Sequence, residues 1–146
     1  MGILFNAFDE SQIQVVLNYA NRLSANGKTV SLLGYYDSKE LVEHDEFPHF
    51  NKKNIDWANR PTGEKVEQFM NEPFDLLINL SGKTNPPFDY IMALSKASFR
   101  VGPSTENTYS CDLMIDTKNP EDISNFIQQA ESFLNKMTTH HEPIPA

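Results

Sequence analysis

Short apolar runs and amphipathic helical patterns alternate along the chain. Ile3–Phe8 is a mostly apolar run, and apolar residues between Ile13 and Leu23 then recur at the spacing of one helix face. The run Thr29–Tyr36 follows and is rich in the β-branched and aromatic residues that favour strands. This order predicts two parallel strands joined by a right-handed helical crossover.

The same alternation continues to the end of the chain. Further strands are predicted at 74–80, 99–102 and 112–116, and further helices at 62–70, from Pro87 and from Pro120, with Asn119 as the last helix cap. Five strands alternating with helices predict an α/β fold, a three-layer αβα sandwich around a mainly parallel sheet. The strand order is left open between a Rossmann-like and a flavodoxin-like arrangement.

The length fits a single domain, which we place at residues 1–138, followed by a frayed tail at 139–146. Segment 37–61 shows the least regular pattern. Its large apolar residues are too numerous for a disordered linker, so we expect them to pack against the sheet edge. An exposed interface is the alternative for Phe47, Phe50 and Trp57.

The charge balance narrows the range of partners. Twenty acidic and 12 basic residues give a net charge of −8, and the basic residues are scattered. This predicts neither a nucleic-acid nor a membrane-surface partner. No apolar run approaches the roughly 20 residues of a membrane helix, and no signal peptide is visible, which favours a cytoplasmic location. The single cysteine, Cys111, excludes an internal disulfide and suits a small apolar role at a strand entrance.

The stretch FDLLINLSGKTN, residues 74–85, resembles the end of a phosphate-binding loop through Gly82, Lys83 and Thr84. The first glycine of that motif is replaced by Leu77, which belongs to the predicted strand, so the stretch cannot wrap a phosphate. A phosphoryl acceptor is excluded as well, because the position where a receiver domain has an aspartate holds Asn79 or Leu80. The turn after the first strand also lacks the glycines of a dinucleotide site.

The remaining candidates for chemistry are weak. No histidine has the spacing of a zinc site, and no serine lies in the context of a nucleophile elbow. We therefore predict no metal and no cofactor, assign no catalytic residue, and leave open whether the protein is an enzyme.

A parallel sheet binds ligands beyond the carboxyl ends of its strands, near the point where strand order reverses. Polar and small residues at the predicted strand ends are therefore the candidate ligand-binding residues, although such turns are also common for solvation alone. The candidates are Asn6, Asp9, Ser81, Lys83, Thr84, Asn85, Gly102 and Ser104.

Three segments, PFDLLINLS, YIMALSKASFRVG and DLMID, resemble an uncharacterised bacterial domain-of-unknown-function family of small α/β proteins. That resemblance implies a Rossmann-like sheet and no established activity. FDLLINL and FRVG also resemble, more weakly, the first domain of heptosyltransferase-like glycosyltransferases. In this resemblance, Arg100 and Gly102 match the arginine and glycine that end a strand of that domain, and Asp9 lies near the place of its catalytic acidic residue. In those enzymes a second domain binds the nucleotide-sugar.

Two functions follow as hypotheses. The first is a non-catalytic module that binds an unknown small molecule or protein. The alternative is a sugar- or nucleotide-sugar-handling enzyme that needs a partner subunit, with Asp9, Ser81, Lys83 and Arg100 as first suspects. A homodimer is compatible with either.

Overall fold

The computed structural model describes residues 1–7, 10–37, 46–81, 86–104, 111–116, 119 and 122–140, the last four through their backbone only. Within these residues, the predicted strands and helices occur in the predicted order. The elements are β1 (Gly2–Asn6), α1 (Glu10–Ala25), β2 (Ser31–Tyr36), β3 (His49–Asn51), α2 (Glu64–Asn71), β4 (Leu76–Asn79), α3 (Pro86–Leu94), β5 (Phe99–Pro103), β6 (Leu113–Ile115) and α4 (Ile123–His140), with a 3-10 turn at Lys52–Asn54 between β3 and α2.

The strands form one parallel sheet in the order β3-β2-β1-β4-β5-β6. The predicted α/β fold is confirmed, and the order is that of doubly wound Rossmann-type sheets, which decides between the two arrangements left open. The sheet has six strands where about five were expected. The additional strand is β3, three residues of the irregular segment that pair with Gly34–Tyr36 of β2.

Helices cover both faces of the sheet. α1 packs against α4 on one face, and α2 packs against α3 on the other. Side chains of β1 alternate between the two layers: Ile3 and Phe5 point to the α1/α4 layer, and Leu4 points to the α2/α3 layer. All three are fully buried. Because such strands are buried on both faces, their sequences are nearly continuous apolar runs.

The irregular segment is held to the sheet by aromatic packing. A Cβ on Gly34 would lie 2.6 Å from the Phe47 ring, so the missing side chain lets that ring settle on β2. Phe47 contacts Phe5 edge-on at 5.0 Å between centroids, and both Phe47 and Phe50 are buried, as expected. The same expectation is wrong for Trp57, which is 91% exposed.

The start of α4 differs from the prediction. The helix begins at Ile123, and the Asp122 carboxylate accepts the backbone N–H of Asn125 at 3.0 Å, so Asp122 is the cap in place of Asn119. Asn119 instead accepts the N–H of Asp122 with its carbonyl at 3.1 Å. Pro120 and the end of the predicted tail, 141–146, lie outside the described residues, and the domain boundary stays a prediction.

Candidate functional site

The order of strands reverses between β1 and β4, and at such a point an open α/β sheet forms a crevice above the carboxyl ends of its strands. The chain leaves β1 at Asn6 towards α1 on one face of the sheet, and it leaves β4 at Asn79 towards α3 on the other face. The two connections diverge, and the space between them is where open α/β sheets bind ligands.

Asn6 is the last residue of β1 and is 3% exposed. Its Oδ1 atom is buried and has no hydrogen-bond partner among the described residues. A buried acceptor left without a donor costs about 1–3 kcal/mol relative to a satisfied one. Buried polar groups are nearly always bonded in native proteins, so this oxygen requires an explanation.

Asn79 occupies the equivalent position on the neighbouring strand, at the end of β4, and is 2% exposed. In contrast to Asn6, its Oδ1 accepts the backbone N–H of Ser81 at 3.0 Å. The side chain thus fixes the direction in which the chain leaves the strand. Ser81 is itself buried.

The register of the sheet brings these residues together. Leu4 lies opposite Asn79, and the N–H of Leu80 donates to the Leu4 carbonyl at 2.8 Å. Two residues further along each strand, Asn6 reaches the level of Ser81. Three buried polar side chains therefore meet at the crevice between β1 and β4.

Gly102 continues this edge on the next strand, β5. A Cβ at Gly102 would lie 2.6 Å from the Cys111 sulfur and 3.6 Å from the Asn79 Cβ. The glycine leaves room for the half-buried Cys111 side chain to pack over the strand beside Asn79. The cysteine thus has the packing role expected for it, at the entrance to β6.

The predicted site residues separate into three groups. Asn6, Ser81 and Gly102 lie at the ends of the central strands, as described above. Ser104 is exposed and its N–H donates to the Ile115 carbonyl at 2.9 Å, which places it on the β6 side of the edge. The other candidates, Asp9, Lys83, Thr84 and Asn85, lie outside the described residues and remain predictions.

Sequence reasoning omitted Asn79 from the candidate site because it treated the residue as part of a buried strand. The available signal was an amide side chain directly after a run of three apolar residues, Leu76–Ile78, where a buried amide is expected to need a partner. Asn6, in a comparable apolar run, carried the same signal.

Arg100 was a suspect for the enzyme hypothesis, but the structure assigns it a structural role. It lies near the start of β5, away from the carboxyl edge. Its guanidinium Nη1 donates to the carbonyls of Met92 and Ala93, at 3.1 and 3.3 Å, and its Nε contacts the Asp112 carboxylate at 3.3 Å. Arg100 therefore closes the C-terminal end of α3 and ties it to the chain before β6.

The helices that begin at this edge have acidic or blocked N-termini. α1 has Glu10 in its first turn, and α3 opens with Pro86 and Pro87, which have no backbone N–H to donate, followed by Asp89. At the start of α4, the Asp122 carboxylate accepts the backbone N–H of Asn125, which is then not available to a ligand. Carboxylates at these positive helix ends stabilise the helices and repel a bound anion.

Tyr36, at the end of β2, carries the second buried polar atom that lacks a partner within the described residues, its phenol oxygen. Its side chain packs in the α1/α4 layer, on the opposite face from Asn6. Burial, with the nearby charges of Glu10 and Glu46, raises the pKa of the Tyr36 phenol. The adjacent Tyr35 differs, because its hydroxyl donates to the Asp37 carboxylate at 3.2 Å.

Two searches for other kinds of site gave negative results within the described part of the chain. No three His, Cys, Asp or Glu side chains there are grouped so as to hold a metal ion. None of the helices described above combines the length and apolar character needed to cross a bilayer.

The sheet order and the crevice between β1 and β4 define a doubly wound α/β protein of the Rossmann type. Residues 1–137 match the model of a family of unknown function (DUF6913), and the chain belongs to that family. The comparisons with curated proteins and with solved structures gave no match. The predicted membership of a family of unknown function is thereby confirmed, while nothing here supports the glycosyltransferase resemblance.

Proposed function

We propose that the protein is a non-catalytic binding module that holds a small, uncharged, hydrogen-bond-donating molecule above the carboxyl ends of β1 and β4. The observation that carries this proposal is the buried Asn6 oxygen, which has no donor in the described part of the chain. A ligand N–H or O–H placed on that oxygen removes the cost of its desolvation, so binding gains from an acceptor that is already fixed in place.

The chemistry of the edge favours such a ligand over a phosphate. Glu10, Asp89 and Asp122 lie in or cap the first turns of the helices that begin there, and two prolines remove N–H donors from α3. Phosphate sites depend on free N–H groups at a helix start, and the described part of this edge offers acceptors and carboxylates in their place.

The enzyme hypothesis has less support. Its nucleotide-sugar would bring two phosphates to an acidic edge, and Arg100 is held by α3 and Asp112 at the other end of β5. The chain has a single cysteine and therefore no internal disulfide, which agrees with the reducing conditions of the cytoplasm. We include a cytoplasmic location in the proposal.

A thermal-shift series tests the proposal with two groups of probes. The neutral donors are adenosine, cytidine, glucose and N-acetylglucosamine, and the anions are inorganic phosphate, ATP and UDP-glucose. We expect at least one neutral probe to raise the melting temperature. A ligand present at 100 times its Kd stabilises the folded state by about 2.7 kcal/mol.

Asn6→Leu, which removes the acceptor, should abolish that shift, whereas Ser104→Ala, at the exposed side of the same edge, should retain it. Stabilisation by anions alone contradicts the proposal and favours the sugar-nucleotide alternative. A shift that survives in Asn6→Leu, or the absence of any shift with the neutral probes, also contradicts it. If no neutral probe raises the melting temperature, the partner of the Asn6 oxygen is an ordered water.

A further inference from the structure

Trp57 is the only tryptophan of the chain and is 91% exposed. It lies at the tip of a tight loop, 55–61, whose ends pair through an antiparallel bridge between Ile55 and Pro61. A large apolar ring held in water is unusual, since tryptophan is highly buried on average. Trp is also the residue type most enriched among the energetic anchors of protein interfaces.

The loop is held rigid by Asp56. Its carboxylate accepts the backbone N–H groups of Ala58 and Arg60, at 2.9 and 3.0 Å, and the Arg60 Nε at 3.0 Å. The Asp56 N–H donates to the Arg60 carbonyl at 3.0 Å, which closes the loop. The N–H of Arg60, with a smaller contribution from that of Ala58, lowers the pKa of the Asp56 carboxyl. A loop already ordered presents Trp57 without a further entropy loss on binding.

A groove of about 560 Å³ also adjoins α2, between that helix, the start of β2 and residues 46–48. Its base is apolar, formed by Leu33, Phe47, Phe69 and Phe74. Here the outer side of β2, away from β1, has no neighbouring strand among the described residues, because β3 pairs only with residues 34–36. The groove is long and open enough for an aromatic side chain to enter.

The two surfaces have complementary charge. Two carboxylates, Glu46 and Glu72, stand on the rim of the groove, with one cation, Lys65. Near Trp57, Lys53 is exposed, whereas the charge of Arg60 is paired with Asp56 within the loop. An apolar tip with a lysine four residues away therefore matches a groove with an apolar base and two carboxylates, the arrangement of an anchor residue within a polar rim.

The positions of loop and groove relative to α2 indicate a two-fold arrangement. The loop leads directly into α2 and is joined to its start by the Thr62 hydroxyl, which donates to the Asn54 carbonyl at 2.8 Å. The groove runs along α2 towards Glu72 and Phe74 at the other end of that helix. If α2 of one molecule lies antiparallel to α2 of another, each loop reaches the groove of the other copy. A closed, symmetric pair follows.

We propose that the protein forms a homodimer in which Trp57 of each copy inserts into the α2–β2 groove of the other. The occupant of the groove is thus a second copy of this chain, and the interface is independent of the ligand site at the carboxyl edge.

The single tryptophan makes the test direct. Sedimentation velocity and tryptophan emission are measured on the same samples, from micromolar to near-millimolar protein. We expect a monomer–dimer equilibrium, with emission moving to shorter wavelength as the dimer forms and Trp57 leaves water. Trp57→Ala should raise the dimer dissociation constant by about 30-fold or more, the effect of an interface anchor.

Two further variants separate this contact from any other. Gln68→Arg places a bulky charge on the exposed wall of the groove and should prevent dimerisation, while its Trp57 emission stays that of an exposed indole. Phe133→Ala removes another exposed aromatic residue, on α4, and should leave the dimer unchanged. Circular dichroism confirms that each variant is folded.

The proposal is overturned if the wild type stays monomeric throughout, if Trp57→Ala still dimerises with the original affinity, or if the dimer forms while the emission remains that of exposed indole. A monomer whose emission shifts only after another protein is added is also a contradiction, because the groove partner is then a different molecule.

Discussion

Asn6 and Asn79 are the same residue type, on adjacent strands, at the same edge of the sheet, and both are almost completely buried. The Asn79 oxygen accepts the N–H of Ser81, whereas the Asn6 oxygen has no donor within the described structure. One amide therefore serves the fold, because it fixes the exit of the chain from β4. The other contributes nothing visible to the fold and costs free energy, which is the expected property of a residue kept for binding.

Tyr35 and Tyr36 at the end of β2 repeat the contrast. The Tyr35 hydroxyl is bonded to Asp37, and the Tyr36 oxygen is buried without a described partner. Each unsatisfied group lies at the carboxyl end of a central strand, one on either face of the sheet. Within each pair, removal of the hydrogen-bonded polar atom should lower the free energy of unfolding. Removal of the atom without a described partner should leave it unchanged or raise it.

The largest effect is expected from Asn79→Leu. Removal of the acceptor takes a buried hydrogen bond from the Ser81 N–H, so the free energy of unfolding should fall by about 2 kcal/mol. Urea unfolding measures this directly. Ser104→Ala, at an exposed position, is the control and should change the value by less than about 0.5 kcal/mol. If Asn79→Leu lost no more free energy of unfolding than the control, the Asn79 side chain would not have the stabilising role described above.

Gly102→Ala should cost about 1 kcal/mol, because its new methyl group would lie 2.6 Å from the Cys111 sulfur. Shortening that neighbour with Cys111→Ala should recover most of the loss, and a double-mutant cycle in urea measures the coupling. Equal costs of Gly102→Ala with and without the cysteine sulfur would show that the surroundings of Asn79 are less tightly packed than described.

The tyrosine pair gives a smaller contrast. Tyr35→Phe removes a hydrogen bond to Asp37 and should lower the free energy of unfolding by about 1 kcal/mol. Tyr36→Phe removes a hydroxyl that has no described partner and should leave stability unchanged or raise it slightly. Chemical unfolding of the two variants side by side tests this. The reverse order of stabilities would contradict the assignment of the two hydroxyl groups.

The smallest effect concerns pH. Burial, followed by the charge of Asp37 and the hydrogen bond to it, raises the pKa of Tyr35 to about 12. The folded state holds this proton more tightly than the unfolded state, so its contribution is complete below about pH 10 and is lost as the pH rises towards 12. Tyr19, whose pKa burial also raises to about 12, acts in the same direction.

We therefore expect unfolding free energies measured between pH 9 and 12 to decline. They should decline less steeply in Tyr35→Phe. An identical slope in that variant would mean that Tyr35 titrates normally in the folded protein.

The sequence predicted the elements that bury long apolar runs, because burial on two faces leaves a clear signal in β1, β2 and β4. β3 was not predicted. Its three residues have too little pattern of their own, and their pairing depends on Gly34 leaving room for Phe47, a contact between residues 13 positions apart.

Of the candidate site residues, Asn6, Ser81 and Gly102 were expected at strand ends from the rule for parallel sheets, and the structure has them there. Their role in binding stays a prediction. Asn79 was omitted, since its role depends on the path of the chain after β4. The structural contacts of Arg100 were not predicted, because its partners, Met92, Ala93 and Asp112, are brought to it by tertiary packing. Trp57 was misplaced because the hydrogen bonds of Asp56 decide which way that loop turns.

The free energy of unfolding of Asn6→Leu, compared with the wild type in the absence of any ligand, tests the central claim most directly. If the Asn6 oxygen is unpartnered in the free protein, an apolar side chain of similar size should unfold at the same or a higher urea concentration. A loss of about 2 kcal/mol, equal to that expected for Asn79→Leu, would show that the oxygen already has a partner in the folded chain, and the proposed binding site would lose its basis.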